Sequence, residues 1–131
     1  PASCAAGLAT MDVLEHTDIV HQSATILATY FHAALQTLSD HPIVGQVRAK
    51  GLLAAVELVK DKSSRERLAP ESGAAVYCRD RAIEGGLMVR QTGDAMIMSP
   101  PFVTTTGEID ALIATLAEGL DKTATHFGVK S

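Results

Sequence analysis

Apolar positions recur with helical spacing in two long stretches and with strand-like spacing between them. Val20, Ala24, Leu27, Phe31, Ala34 and Leu38 step by three or four, which predicts one buried helical stripe. Thr17 or Asp18 can cap its start. Ser39-Asp40-His41-Pro42 ends it, because the residue before a proline is pushed out of the helical region. Ile109, Leu112, Ile113, Leu116, Leu120, Ala124 and Phe127 form the second stripe. Thr105 followed by Glu108 predicts a capping box at its start. Gly128 predicts its close, with Val129 to Ser131 fraying beyond it.

Between the stripes, Ile43 to Ala49 reads as extended, and Leu52 to Val59 is apolar apart from Glu57. Alternation puts Leu52, Ala54, Val56 and Leu58 on one face and Leu53, Ala55, Glu57 and Val59 on the other. Both faces are largely apolar, so a central strand covered on both sides is expected. Glu57 then needs a partner, because an unpaired buried carboxylate is costly. A structural salt bridge, an exposed edge and a proton-transfer role all remain open for it.

Asp61 to Leu68 predicts a charged loop. Pro70 predicts the first turn of a helix running to Glu84, with Ala74, Ala75, Cys78 and Ala82 as a thin apolar face and Gly85-Gly86 as its stop. Leu87 to Met98 reads as a hairpin turning at Gly93-Asp94 and ended by Ser99-Pro100-Pro101, which cannot continue a ladder. Ala2 to Leu14 predicts a first helix whose alanines and Gly7 leave it small on several faces. Close packing against something large is expected of it, Cys4 included. The order helix, helix, strand, strand, helix, hairpin, helix predicts an α+β two-layer sandwich with a small, mostly antiparallel sheet.

The 131 residues are one domain's worth of chain. A net charge of -4 excludes the concentrated basic face of a nucleic-acid binder. No apolar run approaches the roughly 20 residues of a membrane span. Cys4 and Cys78 belong to no CxxC pair, and with no signal peptide visible the expected compartment is the cytoplasm. His16, His21, His32, His41 and His126 contain no pair at metal-ligand spacing on a helix. No GxSxG is present, and Gly85-Gly86 follows a helix where a phosphate cradle would precede one. The chain begins at Pro1, within helix-forming sequence, and is read as a piece of a longer protein.

Arg90 is the residue of distinct chemistry. It stands at the mouth of the hairpin, after Leu87, Met88 and Val89. Its guanidinium is a rigid fork of donors that matches a carboxylate in bidentate geometry, and apolar neighbours screen its field poorly. Anion recognition and a plain surface or salt-bridged arginine are both compatible with that setting. Asp94 is most simply a turn residue.

Four segments carry a resemblance. Pro1 to Glu15 (Pro-Ala-Ser-Cys-Ala-Ala-Gly-Leu-Ala-Thr-Met-Asp-Val-Leu-Glu) resembles the segment after the Ser-Gly-His of class III aminotransferases, which are fold-type I enzymes dependent on pyridoxal phosphate. Val47 to Leu58 resembles their "VRGxGLxxGxEL" strand. Gly86-Leu87-Met88-Val89-Arg90, Gly93-Asp94 and Met98-Ser99-Pro100-Pro101-Phe102 together resemble their "GLLxR…GD…xSPPL" hairpin, and Thr105 to Leu120 their final helix. Val-Arg-Gln-Thr-Gly-Asp followed by Ser-Pro-Pro is most similar to the ω-amino acid–pyruvate branch.

The resemblance implies a C-terminal small domain at residues 39–131, with residues 1–38 as helices leading into it from a missing large domain. It implies that Arg90 binds the substrate carboxylate and swings away when an amine lacking one occupies the site. Gly93 and Asp94 would shape the supporting turn. The Schiff-base lysine would lie upstream of Pro1, so no catalytic or cofactor-binding residue is expected in this chain. Lys50, Lys60, Lys62, Lys122 and Lys130 match none of the cofactor motifs. The isolated chain is expected to be inactive and to bind no pyridoxal phosphate. The parent is expected to be a homodimer or higher homo-oligomer that moves an amino group from an amine or ω-amino acid to a keto acid such as pyruvate. A free-standing small-anion module, and a same-family aminomutase, decarboxylase or racemase, are the competing expectations.

Overall fold

The structure, a computed structural model, describes residues 1–129. Five α-helices are present among them: α1 (Ala2–His16), α2 (Ile19–Gln22), α3 (Ala28–Gln36), α4 (Ala74–Glu84) and α5 (Thr106–Phe127). Four strands, β1 (Val44–Lys50), β2 (Leu53–Leu58), β3 (Arg90–Thr92) and β4 (Ala95–Met98), make one sheet in the order β1-β2-β4-β3. Every pairing is antiparallel. The result is the α+β two-layer arrangement that the sequence predicts.

Register explains which side of the sheet is buried. Ala54, Val56, Leu58, Met96 and Met98 point inward and meet Phe31, Leu35, Cys78, Ile109, Leu116 and Leu120 from the helices in one apolar cluster. Ala55, Glu57, Ala95 and Ile97 point to the opposite side, together with Arg48 and Gln46 of β1 and Arg90 and Thr92 of β3. No helix or strand among the described residues packs on that side, and only the loop carrying Lys62, Arg65 and Arg67 reaches its Gln46–Glu57 corner: Leu53 is exposed, and Ala55 and Glu57 are half-buried. Strand β2 is therefore central, as expected, but covered on one face only. Glu57 finds the partner that its setting requires in Arg48, 3.7 Å away.

A bulge sits between Val44 and Gln46, where β1 gains a residue relative to β2. It falls at Gly45, where a Cβ would run into the side chain of Val59.

The helices depart from the sequence reading at two points. Ser23–Leu27 forms a π-turn between α2 and α3. One such turn inserts a residue and rotates everything before it relative to everything after. Leu27, Ala28, Phe31, Leu35 and Leu38 are buried, whereas Val20 and Ala24 of the predicted stripe face outward and Ala34 gives way to Leu35. The helix predicted from Pro70 is split: Pro70–Ser72 is a short 3-10 turn, and Gly73 adopts φ +71 before α4 begins.

The capping box of α5 is present, with Thr105 N donating to Glu108 at 2.7 Å and Glu108 N donating to Thr105 Oγ1 at 3.3 Å. Val129, expected to fray, donates its N–H to Ala124 O at 2.9 Å and packs on the core. Lys130 and Ser131 lie outside the described residues. Helix α1 buries none of its residues and leaves Leu8, Met11, Val13 and Cys4 exposed, so the packing expected of Cys4 is not found here.

Candidate functional site

The hairpin β3–β4 turns over two residues, Gly93 and Asp94, because Gly93 takes φ +56 without a Cβ penalty. Its amide oxygen accepts from Gln91 Nε2 at 2.5 Å. Asp94 O accepts from Leu58 N at 2.8 Å and ties the turn to β2. The Asp94 carboxylate accepts from Arg67, at 3.1 Å from Nε and 2.9 Å from Nη2.

Arg90 opens β3 and lies across from Ile97. Arg48, Ala55, Ile97 and Arg90 thus stand in one row across the open side of the sheet. Of the arginines on and beside this side, Arg48 is offset by Glu57 and Arg67 by Asp94, while Arg65, at the corner beside Gln46 and Glu57 and away from the groove described below, is in no ion pair among the described residues. Among the described residues Arg90 has no ion-pair partner and is exposed.

Arg90 stands on a groove of about 750 Å³ between the strand approach, the end of β4 and the first half of α5. Met88, Ile97, Pro100, Pro101 and Leu112 give it an apolar lining. Met88 is 87% exposed, a costly position for a large apolar side chain unless something binds over it. Glu108 also lines the groove, but it accepts from Thr105 N and Thr105 Oγ1. Those bonds hold its carboxyl below the usual glutamate value and commit the carboxylate to the helix cap. The groove therefore offers one free cation beside apolar surface, a setting for a small carboxylate with an apolar substituent.

None of the groove-lining residues is a lysine. Lys60 is paired with Glu66 at 2.6 Å, Lys122 lies 3.9 Å from Glu118, and Lys62 donates to Ser39 O. These residues do not fit a Schiff-base site for pyridoxal phosphate. Among the described residues no group of three or more His, Cys, Asp or Glu side chains could hold a metal. No helix of the described residues is long and apolar enough to cross a membrane.

The Arg67–Asp94 clamp escapes sequence reading: its members are 27 positions apart, and Arg67 sits in a run of charge that reads as solvated loop. A cluster in which Tyr77 stacks on His126 at 4.4 Å, with Arg81 over the Tyr77 ring at 4.9 Å, escapes it for the same reason, since α4 and α5 meet only in the fold.

Comparison with known proteins gives the chain a family. The class III aminotransferase family model matches residues 1–120. The chain is 39% identical over 124 residues to the putrescine–pyruvate aminotransferase of Pseudomonas aeruginosa, covering 95% of this chain and 27% of that protein. It is 34% identical over 123 residues to the mitochondrial gamma aminobutyrate transaminase 1 of Solanum lycopersicum, covering 94% of this chain and 24% of that one. The ω-transaminase of Pseudomonas jessenii in complex with PMP superposes with a TM-score of 0.84 at 32% identity, over 92% of this chain and 26% of that chain. The chain thus spans about a quarter of the length of the relatives it matches. On sequence and fold together, this chain belongs to the class III aminotransferase family.

Proposed function

We propose that this chain is the substrate-selecting C-terminal part of a pyridoxal-phosphate-dependent aminotransferase that moves an amino group from an amine or ω-amino acid to a keto acid such as pyruvate. Residues 39–131 form the small domain, and residues 1–38 are the helices that join it to the large domain. The parent works in the cytoplasm as a homodimer or higher homo-oligomer. The bare surface of α1 supports a partner for it elsewhere in the assembly.

Arg90 binds the substrate carboxylate in this reading. The observation that carries it is the free guanidinium of Arg90 on a groove whose lining is mostly apolar, with Ser99, Thr104, Thr115 and the cap-bound Glu108 as its other polar side chains. Exposure leaves the side chain room to turn aside, and the apolar lining then faces a substituent without a carboxylate. Gly93 and Asp94 set the turn from which β3 projects, and Ser99-Pro100-Pro101 closes the far end of β4 against the groove. Pyridoxal phosphate, when bound in the parent, supplies the chemistry of amino transfer.

Arg90→Ala in the full-length enzyme tests this. Loss of a charged hydrogen-bonded pair should lower kcat/KM for keto acids and ω-amino acids by about 10- to 100-fold. Turnover of amines without a carboxylate should change little. Equal losses for both substrate types would show that Arg90 is structural.

A further inference from the structure

We propose that Arg67 is a positioning residue for carboxylate recognition: it grips Asp94 and thereby fixes the turn of the hairpin that presents Arg90. This inference rests on the reading of Arg90 given above.

Strand β3 has three residues and lies at the edge of the sheet, where β4 is its only strand neighbour. Short edge strands have few ladder bonds to hold them, so their direction depends on the turn. Here the turn is pinned twice from outside the hairpin, once by Leu58 N on Asp94 O and once by Arg67 on the Asp94 carboxylate. Arg67 uses two nitrogens, Nε and Nη2, on one carboxylate oxygen. The Asp94 side chain is 16% exposed against 69% for Arg67, so the carboxylate is the shielded end of the pair. A shielded carboxylate left without its cation is costly.

The segment that carries Arg67 is itself closed. Lys60 N and Asp61 N both donate to Glu66 O, and Lys60 Nζ pairs with the Glu66 carboxylate. The Asp61 carboxylate accepts from Ser63 Oγ, Ser64 N and Ser63 N, bonds that hold its carboxyl down to about 2. Leu68, next to Arg67, is buried. Arg67 therefore projects from an anchored loop and can transmit that anchoring to the hairpin. The clamp also keeps the Asp94 carboxylate occupied, so the nearest acid in the turn does not compete for the Arg90 guanidinium.

The experiment uses the full-length enzyme and compares Arg67→Gln, Asp94→Asn, their double variant and Arg90→Ala. Arg67→Gln should raise KM for carboxylate-bearing substrates by about 3- to 10-fold, the size of coupling between contacting residues in one ion-pair network. The change for an amine without a carboxylate should be much smaller. Asp94→Asn should have the same selective effect, and the double variant should add nothing to either. Arg67→Lys keeps the charge without the fork and should fall between wild type and Arg67→Gln.

Equal losses for both substrate types, or additive effects in the double variant, would overturn the clamp. So would unchanged KM values. If Arg67→Gln does not fold, the near-isosteric Asp94→Asn decides alone. A selective Arg90→Ala with non-selective clamp variants sinks only the clamp. A non-selective Arg90→Ala sinks the reading of Arg90 and the clamp with it.

Discussion

Two cysteines show how a residue's chemistry is set by where the fold puts it. Cys78 is fully buried against α5, and burial pushes its thiol up to about 11. The thiolate is the reactive form, so a buried thiol held protonated is inert. Cys4 is exposed on α1. A thiol reagent such as DTNB at pH 8 should therefore label one site in the folded chain and two in denaturant. Two rapid labels in the folded state would contradict the packing of α4 on α5. The sign of the pH effect follows. The raised thiol contributes stability that is complete below the unfolded value near 9 and lost as pH rises towards about 11. Denaturant midpoints across that window should fall more for wild type than for Cys78→Ala.

At the scale of elements, α5 is the part whose local chemistry and tertiary role agree most fully. Its capping box satisfies two N–H groups at the helix start, and its inner face supplies Ile109, Leu116 and Leu120 to the core. Thr105→Ala should cost about 1 kcal/mol in denaturant unfolding. The Glu108 carboxyl lies below its ordinary value because Thr105 donates to the carboxylate. Its contribution is therefore present above the ordinary value of 4.5 and lost as pH falls through the depressed one. The stability gap between wild type and Thr105→Ala should narrow in that acidic range. A gap that stays constant with pH would mean that the carboxylate takes no part in the cap. The same cap holds Glu108 away from Arg90, so a helix-start signal also leaves the cation of the groove free.

At the scale of the whole molecule, two surfaces have no helix or strand packed over them among the described residues: all of α1, and the side of the sheet that carries Arg48, Ala55, Ile97 and Arg90. Leu8, Met11, Val13 and Leu53 are exposed on them. Apolar surface of this kind favours association. The 131-residue chain alone should sediment with an apparent mass that rises with concentration. Leu8→Glu combined with Met11→Glu should shift it towards the monomer. A wild-type chain that is monomeric at every concentration would show that α1 tolerates water unaided.

The sequence by itself determined the class of fold, the order of its elements and the residue of distinct chemistry. Those are consequences of short-range physics. Three-to-four spacing makes the core stripe of α5, alternation makes the inner row of β2, and a threonine three positions before a glutamate makes a cap. Motif order was enough to identify the family, because Gly86 to Arg90, Gly93-Asp94 and Ser99-Pro100-Pro101 keep their spacing along the chain. The tertiary structure alone decided which faces are buried and which charges are free. The π-turn at Ser23–Leu27 rotated Val20 and Ala24 out of the core, since helical periodicity assumes an unbroken helix. Only sheet order could show that β2 is central yet covered on one side. Only the approach of the Lys60–Leu68 segment to the hairpin could pair Arg67 with Asp94. A charge in sequence is merely a charge. Whether it is free to bind a ligand depends on the carboxylates that folding brings beside it, and here folding neutralises Arg48 and Arg67 and leaves Arg90 without a carboxylate among the described residues.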